Sequence, residues 1–231
     1  MKHPVGNRLL SAAKFVRQGA YFADVGTDHA YLPIFLLSQG VIERAVCSDI
    51  NEGPLASARH NAQEAGLLDK MIFRLSDGAA ELSGIGITDY AICGMGGELI
   101  SMIIDRAPHL KDRAVNLILQ PMTRQRELRR YLSISGFSVL SEEYSYEAGK
   151  YYLCILASYT GESREISEFE AEFGIINPRK EISPERKGYI DAKLRALHKA
   201  SDGKRTGGDD DSREARLVDE FYKLFPNWKS T

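Results

Sequence analysis

The 231-residue sequence is poor in cysteine, has no long apolar run and carries almost no charge imbalance. Its three cysteines, Cys47, Cys93 and Cys154, form no C-x-x-C pair and each stands in an apolar, β-rich stretch. That pattern predicts small buried residues rather than a disulfide framework, and so a reducing compartment. No metal site is expected. No apolar stretch approaches the roughly 20 residues that span a bilayer, and Met1-Lys2-His3-Pro4 opens no signal-type segment. These absences predict a soluble, cytoplasmic chain without a membrane partner. Thirty Lys and Arg against 32 Asp and Glu leave a net charge of −2. Lack of a basic excess argues against a protein that coats nucleic acid; any such binding needs a local positive surface.

What is present is enough apolar material, 43 %, for a sizeable core. The length suits one large domain, or one domain with an appendage. Apolar spacing predicts helices over 5–16, 31–38, 54–65, 98–105 and 123–135, the last capped by Thr123. Short β-rich runs predict strands over 21–26, 44–50, 71–75, 89–93, 116–119, 137–143 and 150–158. Alternation of this kind implies an α/β fold with a parallel sheet covered on both faces. The last two strands are joined too tightly for a crossover, so at least one runs antiparallel, and the expectation is a terminal antiparallel strand. Beyond it the chain turns charged and helical. A Rossmann-like domain is expected over 1–160 and a C-terminal helical, coiled-coil-like hairpin over 161–231. Its helices should cover 184–200 and 212–225, with a loop over 202–209 and Ile190, Leu194 and Leu197 facing Leu217, Phe221 and Leu224.

In such sheets ligands sit beyond the carboxyl ends of the strands. After the first strand come Asp24, Gly26, Thr27, Asp28 and His29. One glycine is present where a dinucleotide fingerprint needs three to approach a pyrophosphate. That absence argues against a nicotinamide-dependent oxidoreductase. S-adenosylmethionine has no pyrophosphate, and one close-approach glycine beside an acid suits its sulfonium-linked amino acid better. Asp49 ends the second strand about 25 residues after Asp24, near the ~20-residue interval at which these folds place a ribose-binding acid, and Ile50 and Asn51 follow it. Asp77-Gly78 follows the third strand; the acid can accept from an adenine amino group while the glycine leaves room for the ring. Gly94-Met95-Gly96-Gly97 follows the fourth. Three glycines there are costly to order and make sense where backbone touches a ligand, with Met95 against a flat ring. A turn glycine, a helix cap or a plain Asp-Gly turn would explain each motif alone. Their placement at successive strand ends is what favours a ligand site.

The run Ala23-Asp24-Val25-Gly26-Thr27-Asp28-His29-Ala30-Tyr31-Leu32-Pro33, with Ser48-Asp49-Ile50-Asn51, Gly53-Pro54-Leu55, Cys93-Gly94-Met95-Gly96-Gly97 and Leu117-Ile118-Leu119-Gln120-Pro121, resembles the bacterial tRNA (adenine(22)-N1)-methyltransferase family. The resemblance covers most of the first 160 residues. It implies a Rossmann-like methyltransferase sheet, S-adenosylmethionine as methyl donor and tRNA as acceptor. Adenine N1 has a free lone pair, so positioning it in line with the methyl group can supply much of the catalysis. Asp28 is the candidate to stabilise the positive charge that develops on the base or to take a proton from N6; His29 and Tyr31 are candidates to orient the base. Phosphate contacts are sought in Arg8, Lys14 and Arg17, in Arg124 and Arg126, and in Arg186, Lys187 and Lys193. Charge runs are ordinarily solvated helix faces, and only convergence on one face would favour RNA. A methyltransferase acting on another RNA and a non-catalytic RNA-binding module on the same fold stay open as alternatives.

Overall fold

A computed structural model describes residues 5–177, 181–206 and 211–230. Seven strands form one sheet: β1 (Ala20–Val25), β2 (Ile42–Asp49), β3 (Met71–Leu75), β4 (Asp89–Gly96), β5 (Asn116–Thr123), β6 (Phe137–Glu147) and β7 (Lys150–Tyr159). Their order is β3-β2-β1-β4-β5-β7-β6. The first five are parallel, while β7 runs antiparallel to both β5 and β6. The antiparallel strand is thus last in sequence but inside the sheet, and β6 forms the edge. The tight turn at Ala148 and Gly149, both with positive φ, folds β7 back into the gap between β5 and β6.

Alternation along the buried strands feeds two apolar layers. Tyr21, Ala23 and Val25 of β1 face one side with Ile100, Ile103 and Ile104 of α4 (Gly97–Asp105) and Leu128 and Leu132 of α5 (Gln125–Ile134). Phe22 faces the other, with Ala12 of α1 (Asn7–Ala13), Leu36 of α2 (Tyr31–Ser38) and Ala58 and Ala62 of α3 (Glu52–Glu64). Cys47 and Cys154 are buried, Cys93 is half-buried, and all three are free.

Four strands outrun their expected ends, β6 by reaching Glu147 and β7 by reaching Tyr159. β4 continues through Gly96 and β5 through Thr123, paired across register shifts at Cys93/Met95 and Met95/Gly96. Pro121 stands within this irregular stretch, where a missing N–H is tolerated. Thr123 therefore ends a strand and caps no helix; Arg124, in a left-handed conformation, precedes α5.

The tail holds α6 (Glu168–Phe173), α7 (Pro184–Thr206) and α8 (Arg213–Leu224). Residues 202–206 of the expected loop are helical, and 207–209 lie outside the described residues. Ile190, Leu194, Leu197, Leu217 and Phe221 form the seam as expected, joined by Phe169, Phe173, Val218 and Phe225. Leu224 instead is exposed, because the buried α8 face runs through 217, 218 and 221 to Phe225. The tail is fastened to the sheet as well as to itself. Tyr189 of α7 belongs to the main core, and Arg129 of α5, buried against Glu142 of β6 at 2.6 Å, donates to the carbonyls of Ala171 and Glu172. Among the described residues no helix is long and apolar enough to cross a membrane.

Candidate functional site

The strand order reverses between β1 and β4, which opens a crevice beyond their carboxyl ends. Gly26 turns the chain there at φ +74°, its N–H and that of Thr27 donating to the Ser48 carbonyl at 2.8 and 2.9 Å. A Cβ at Gly26 would overlap Met95 Cε. The first and fourth strand-end motifs therefore meet, and the left-handed φ of Gly26 is what favours glycine there. Asp24 lies beneath, nearly buried, accepting from Thr27 Oγ1 at 2.6 Å. Burial pushes its carboxyl up to about 6; the Thr27 bond pulls the other way and the charge of Asp49 adds to the rise. Such a carboxylate is short of counter-charge and suits a cationic ligand.

Asp49 closes β2 half-buried, with Oδ1 accepting the Asn51 N–H at 2.8 Å. That bond shapes the turn into α3 and leaves Oδ2 for a second donor. Ile50 beside it is 61 % exposed, an apolar surface at the crevice wall. Asp77 pairs with Arg106 at 2.8 Å, and both side chains are largely exposed, so the pair is weak and open to exchange. Gly78 has φ +63°, and a Cβ there would lie 2.9 Å from Ile103 Cγ1 and Cγ2, so α4 packs closely on this turn.

At the end of β4, Gly94 donates its N–H to Gln120 Oε1 at 3.0 Å, and Gly96 leads into α4. Gln120 is fully buried and also accepts from Arg8 Nη1 at 2.6 Å. Neither role was assigned from sequence; a polar residue ending an otherwise apolar strand was the available signal. On the rim after β1, Asp28, His29 and Tyr31 come together. His29 Nε2 is 3.3 Å from Asp28 Oδ2, and its ring stacks on Tyr31 at 5.1 Å. The His29 carbonyl is held by Asn61 Nδ2 at 2.9 Å, and Ala30 turns left-handed into α2. Asp28 is 75 % exposed, free to meet a ligand from solvent. Among the described residues no three His, Cys, Asp or Glu side chains group as a metal-ligand set.

Residues 5–155 match the family described as "Methyltransferase domain". The tRNA (adenine(22)-N(1))-methyltransferase of Bacillus subtilis (strain 168) is 30 % identical over 153 residues, 66 % of this chain and 64 % of that protein. The match therefore spans just under two thirds of that curated relative. Streptococcus pneumoniae Sp1610, a proposed tRNA (m1A22) methyltransferase solved in complex with S-adenosyl-L-methionine, is 33 % identical with a TM-score of 0.80, covering 94 % of this chain and 99 % of that one. The chain belongs to the tRNA (adenine(22)-N1)-methyltransferase family. A Streptococcus agalactiae protein of the NADB-Rossmann superfamily matches at a TM-score of 0.83 and 29 % identity, over 96 % and 97 % of the two chains. The likeness to both structures extends through the helical tail, where the sequence resemblance had thinned.

For a member of this family, the cations sought as phosphate contacts are placed unexpectedly. Arg17 lies at the amino end of β4, opposite the crevice. It donates to Asp89 from its backbone N–H and from Nε, at 2.9 and 2.7 Å, and to the carbonyls of Thr88 and Ala114. Arg8 donates to Gln120, beside Gly94. Lys14 pairs with Glu143 at 3.2 Å. Arg124 reaches Glu98 and Glu127 at 3.6 and 3.7 Å, and Arg126 reaches Glu127 and Glu168 at 2.9 and 3.5 Å. In the tail, Arg186 donates to the Ile175 carbonyl at 2.8 Å, Lys187 pairs with Asp191 at 3.0 Å, and Lys193 pairs with Glu172 at 2.9 Å. Each of these cations thus has a carboxylate, amide or carbonyl partner within the chain, while Lys14 and Arg124 stay largely exposed.

Proposed function

We propose that this protein transfers a methyl group from S-adenosylmethionine to N1 of adenine 22 in tRNA, in the cytoplasm. The observation that carries the proposal is the likeness, over nearly the whole chain, to a relative solved with S-adenosyl-L-methionine bound. The crevice supports it. S-adenosylmethionine, when bound, supplies an electrophilic methyl group on a sulfonium. Asp49 Oδ2 would accept from the ribose hydroxyls, and Asp24, paired only with Thr27, would face the positive end of the donor. Gly26 lets the backbone approach without a side chain, and Met95 packs over it. Ile50 offers an apolar surface to the adenine ring, and Asp77 can exchange Arg106 for the ring's amino group.

On the acceptor side, the base loses neutrality as N1 becomes methylated. Asp28 would stabilise that charge or accept the N6 proton, while the stacked His29 and Tyr31 rings present a flat surface to the base. A base inside folded tRNA must leave its stack to reach this rim. Incubation with labelled donor and tRNA, followed by nucleoside analysis, should yield N1-methyladenosine at position 22. Label at another nucleoside would redirect the proposal to a different RNA site; donor binding without transfer would leave a non-catalytic RNA-binding module. Asp28→Ala should lower turnover about 10²-fold with donor affinity nearly unchanged. A folded Asp28→Ala protein of full activity would remove that carboxylate from the chemistry.

A further inference from the structure

The sequence groups Arg8 with Lys14 and Arg17 on one expected helix as candidate phosphate contacts, although α1 ends at Ala13. The surroundings of Arg8 point elsewhere. Arg8 is half-buried, and Nη1 donates to Gln120 Oε1 at 2.6 Å. The same oxygen accepts the Gly94 N–H at 3.0 Å. Gln120 is fully buried, so this oxygen has no bulk water to fall back on. With two donors on Oε1, the amide orientation is set, and Nε2 turns toward Met122 Sδ at 3.5 Å, a weak acceptor. The base of α1 is anchored independently: the Arg8 N–H donates to Glu147 Oε2 at 2.8 Å and Asn7 Nδ2 to the Tyr146 carbonyl at 3.1 Å. The β6–β7 hairpin therefore holds α1, α1 holds Gln120, and Gln120 holds Gly94. Next to Gly94 stands Met95, which fills the space over Gly26.

We propose that Arg8 is a positioning residue for methyl transfer: through Gln120 it fixes the Gly94-Met95 end of β4 against Gly26, and with it the floor on which donor and base meet. The assignment rests on the methyl-transfer reading for its kinetic consequence, but not for its structural one. A displacement of about 1 Å in an aligned transfer costs up to ~10²-fold in rate, so the loss of this support should appear in kcat. A phosphate contact would behave oppositely, weakening tRNA binding and lowering its salt slope by about one.

Arg8→Ala, Arg8→Lys and the near-isosteric Gln120→Leu test this in the full chain. Arg8→Ala should lower kcat at least about tenfold and leave tRNA affinity and salt slope as in the wild type. Arg8→Lys, which keeps one donor, should recover part of the rate. Apart from activity, hydrogen exchange at the Gly94 amide should quicken in Arg8→Ala and Gln120→Leu and slow again in Arg8→Lys. If Arg8→Ala does not fold, Gln120→Leu carries the same two expectations. Unchanged Gly94 exchange in a folded variant, or a reduced salt slope with kcat intact, overturns the positioning role. Wild-type protein that transfers no methyl to tRNA overturns the proposed function instead, and the Gly94 exchange then decides the positioning by itself.

Discussion

The crevice and the tail junction both rest on charged side chains, yet they treat charge in opposite ways. At the crevice, Asp24 has a single hydroxyl for company, Asp49 keeps one oxygen for a further donor, and Asp28 stands mostly in solvent. At the junction, Arg129 meets Glu142 and two carbonyls, Glu172 meets Lys193 and Arg213, and Glu168 meets Arg126 and Arg130. Under-compensated carboxylates cost stability and invite a ligand; buried charges paired with opposite ones hold an interface. Acids at strand ends are thus left short of partners in one region, while Glu and Arg side chains of α5, α6 and β6 pair with one another in the other.

The sharpest way to break that contrast is to unbalance the junction. Glu142→Ala would strand the buried Arg129 guanidinium, and a chain ending at Ser167 would remove its carbonyl partners and the apolar cover from Tyr189. Each should destabilise the protein by about 3–5 kcal/mol or more. Denaturant titration measures it; a truncated chain as stable as the whole would show that the first 160 residues close their own core, as the sequence pattern had led one to expect.

The second prediction concerns the crevice in its free state. The folded carboxyl of Asp24 ionises near 6 against an ordinary value of 3.8. Folding therefore disfavours its charged form. This group's contribution is fully present below pH 3.8, is lost as pH rises to about 6, and is constant above. The loss amounts to about 3 kcal/mol. Thermal melts of Asp24→Asn and the wild type should differ least at acid pH and most above 6, with the variant the more stable there. Donor affinity of the wild type should fall as pH drops below that value, because a cationic ligand favours the ionised carboxylate. A difference between the two proteins that does not vary with pH would mean that Asp24 is not held away from its ordinary value.

Asp49→Ala should be milder, weakening S-adenosylmethionine binding by roughly 1–3 kcal/mol through the lost charge-assisted bonds. Calorimetry with unchanged affinity would take Asp49 out of the site. Smallest of all should be Arg124→Ala, whose pairs at 3.6 and 3.7 Å involve a mostly exposed side chain. A stability change under about 0.5 kcal/mol is expected, and a larger one in a thermal melt would mean that the exposed pairs also carry the fold.

Much of this arrangement was legible because it is local. Strand periodicity, the single glycine after β1 and the acids at strand ends are features of short segments, and they singled out Asp24, Gly26, Asp49 and Met95, of which Gly26 meets Met95 and Asp24 feels the charge of Asp49. The packing of Ile103 of α4 on Gly78 was not legible, because the two lie in separate segments of the chain. Short α6, without a long apolar period of its own, went unseen, and Leu224 was assigned to a face that Val218 and Phe225 occupy.

By itself, then, the sequence determined the α/β alternation, the strand-end residues and the family resemblance, because backbone preference and apolar period act within a few residues. Tertiary structure alone decided where β7 sits, which glycines serve packing, and which arginines are already taken. Arg8 and Gln120 are 112 positions apart, as Arg17 and Asp89 are 72 apart. A guanidinium looks the same in sequence whether water, a phosphate or a distant carboxylate faces it, and only the folded chain selects its partner.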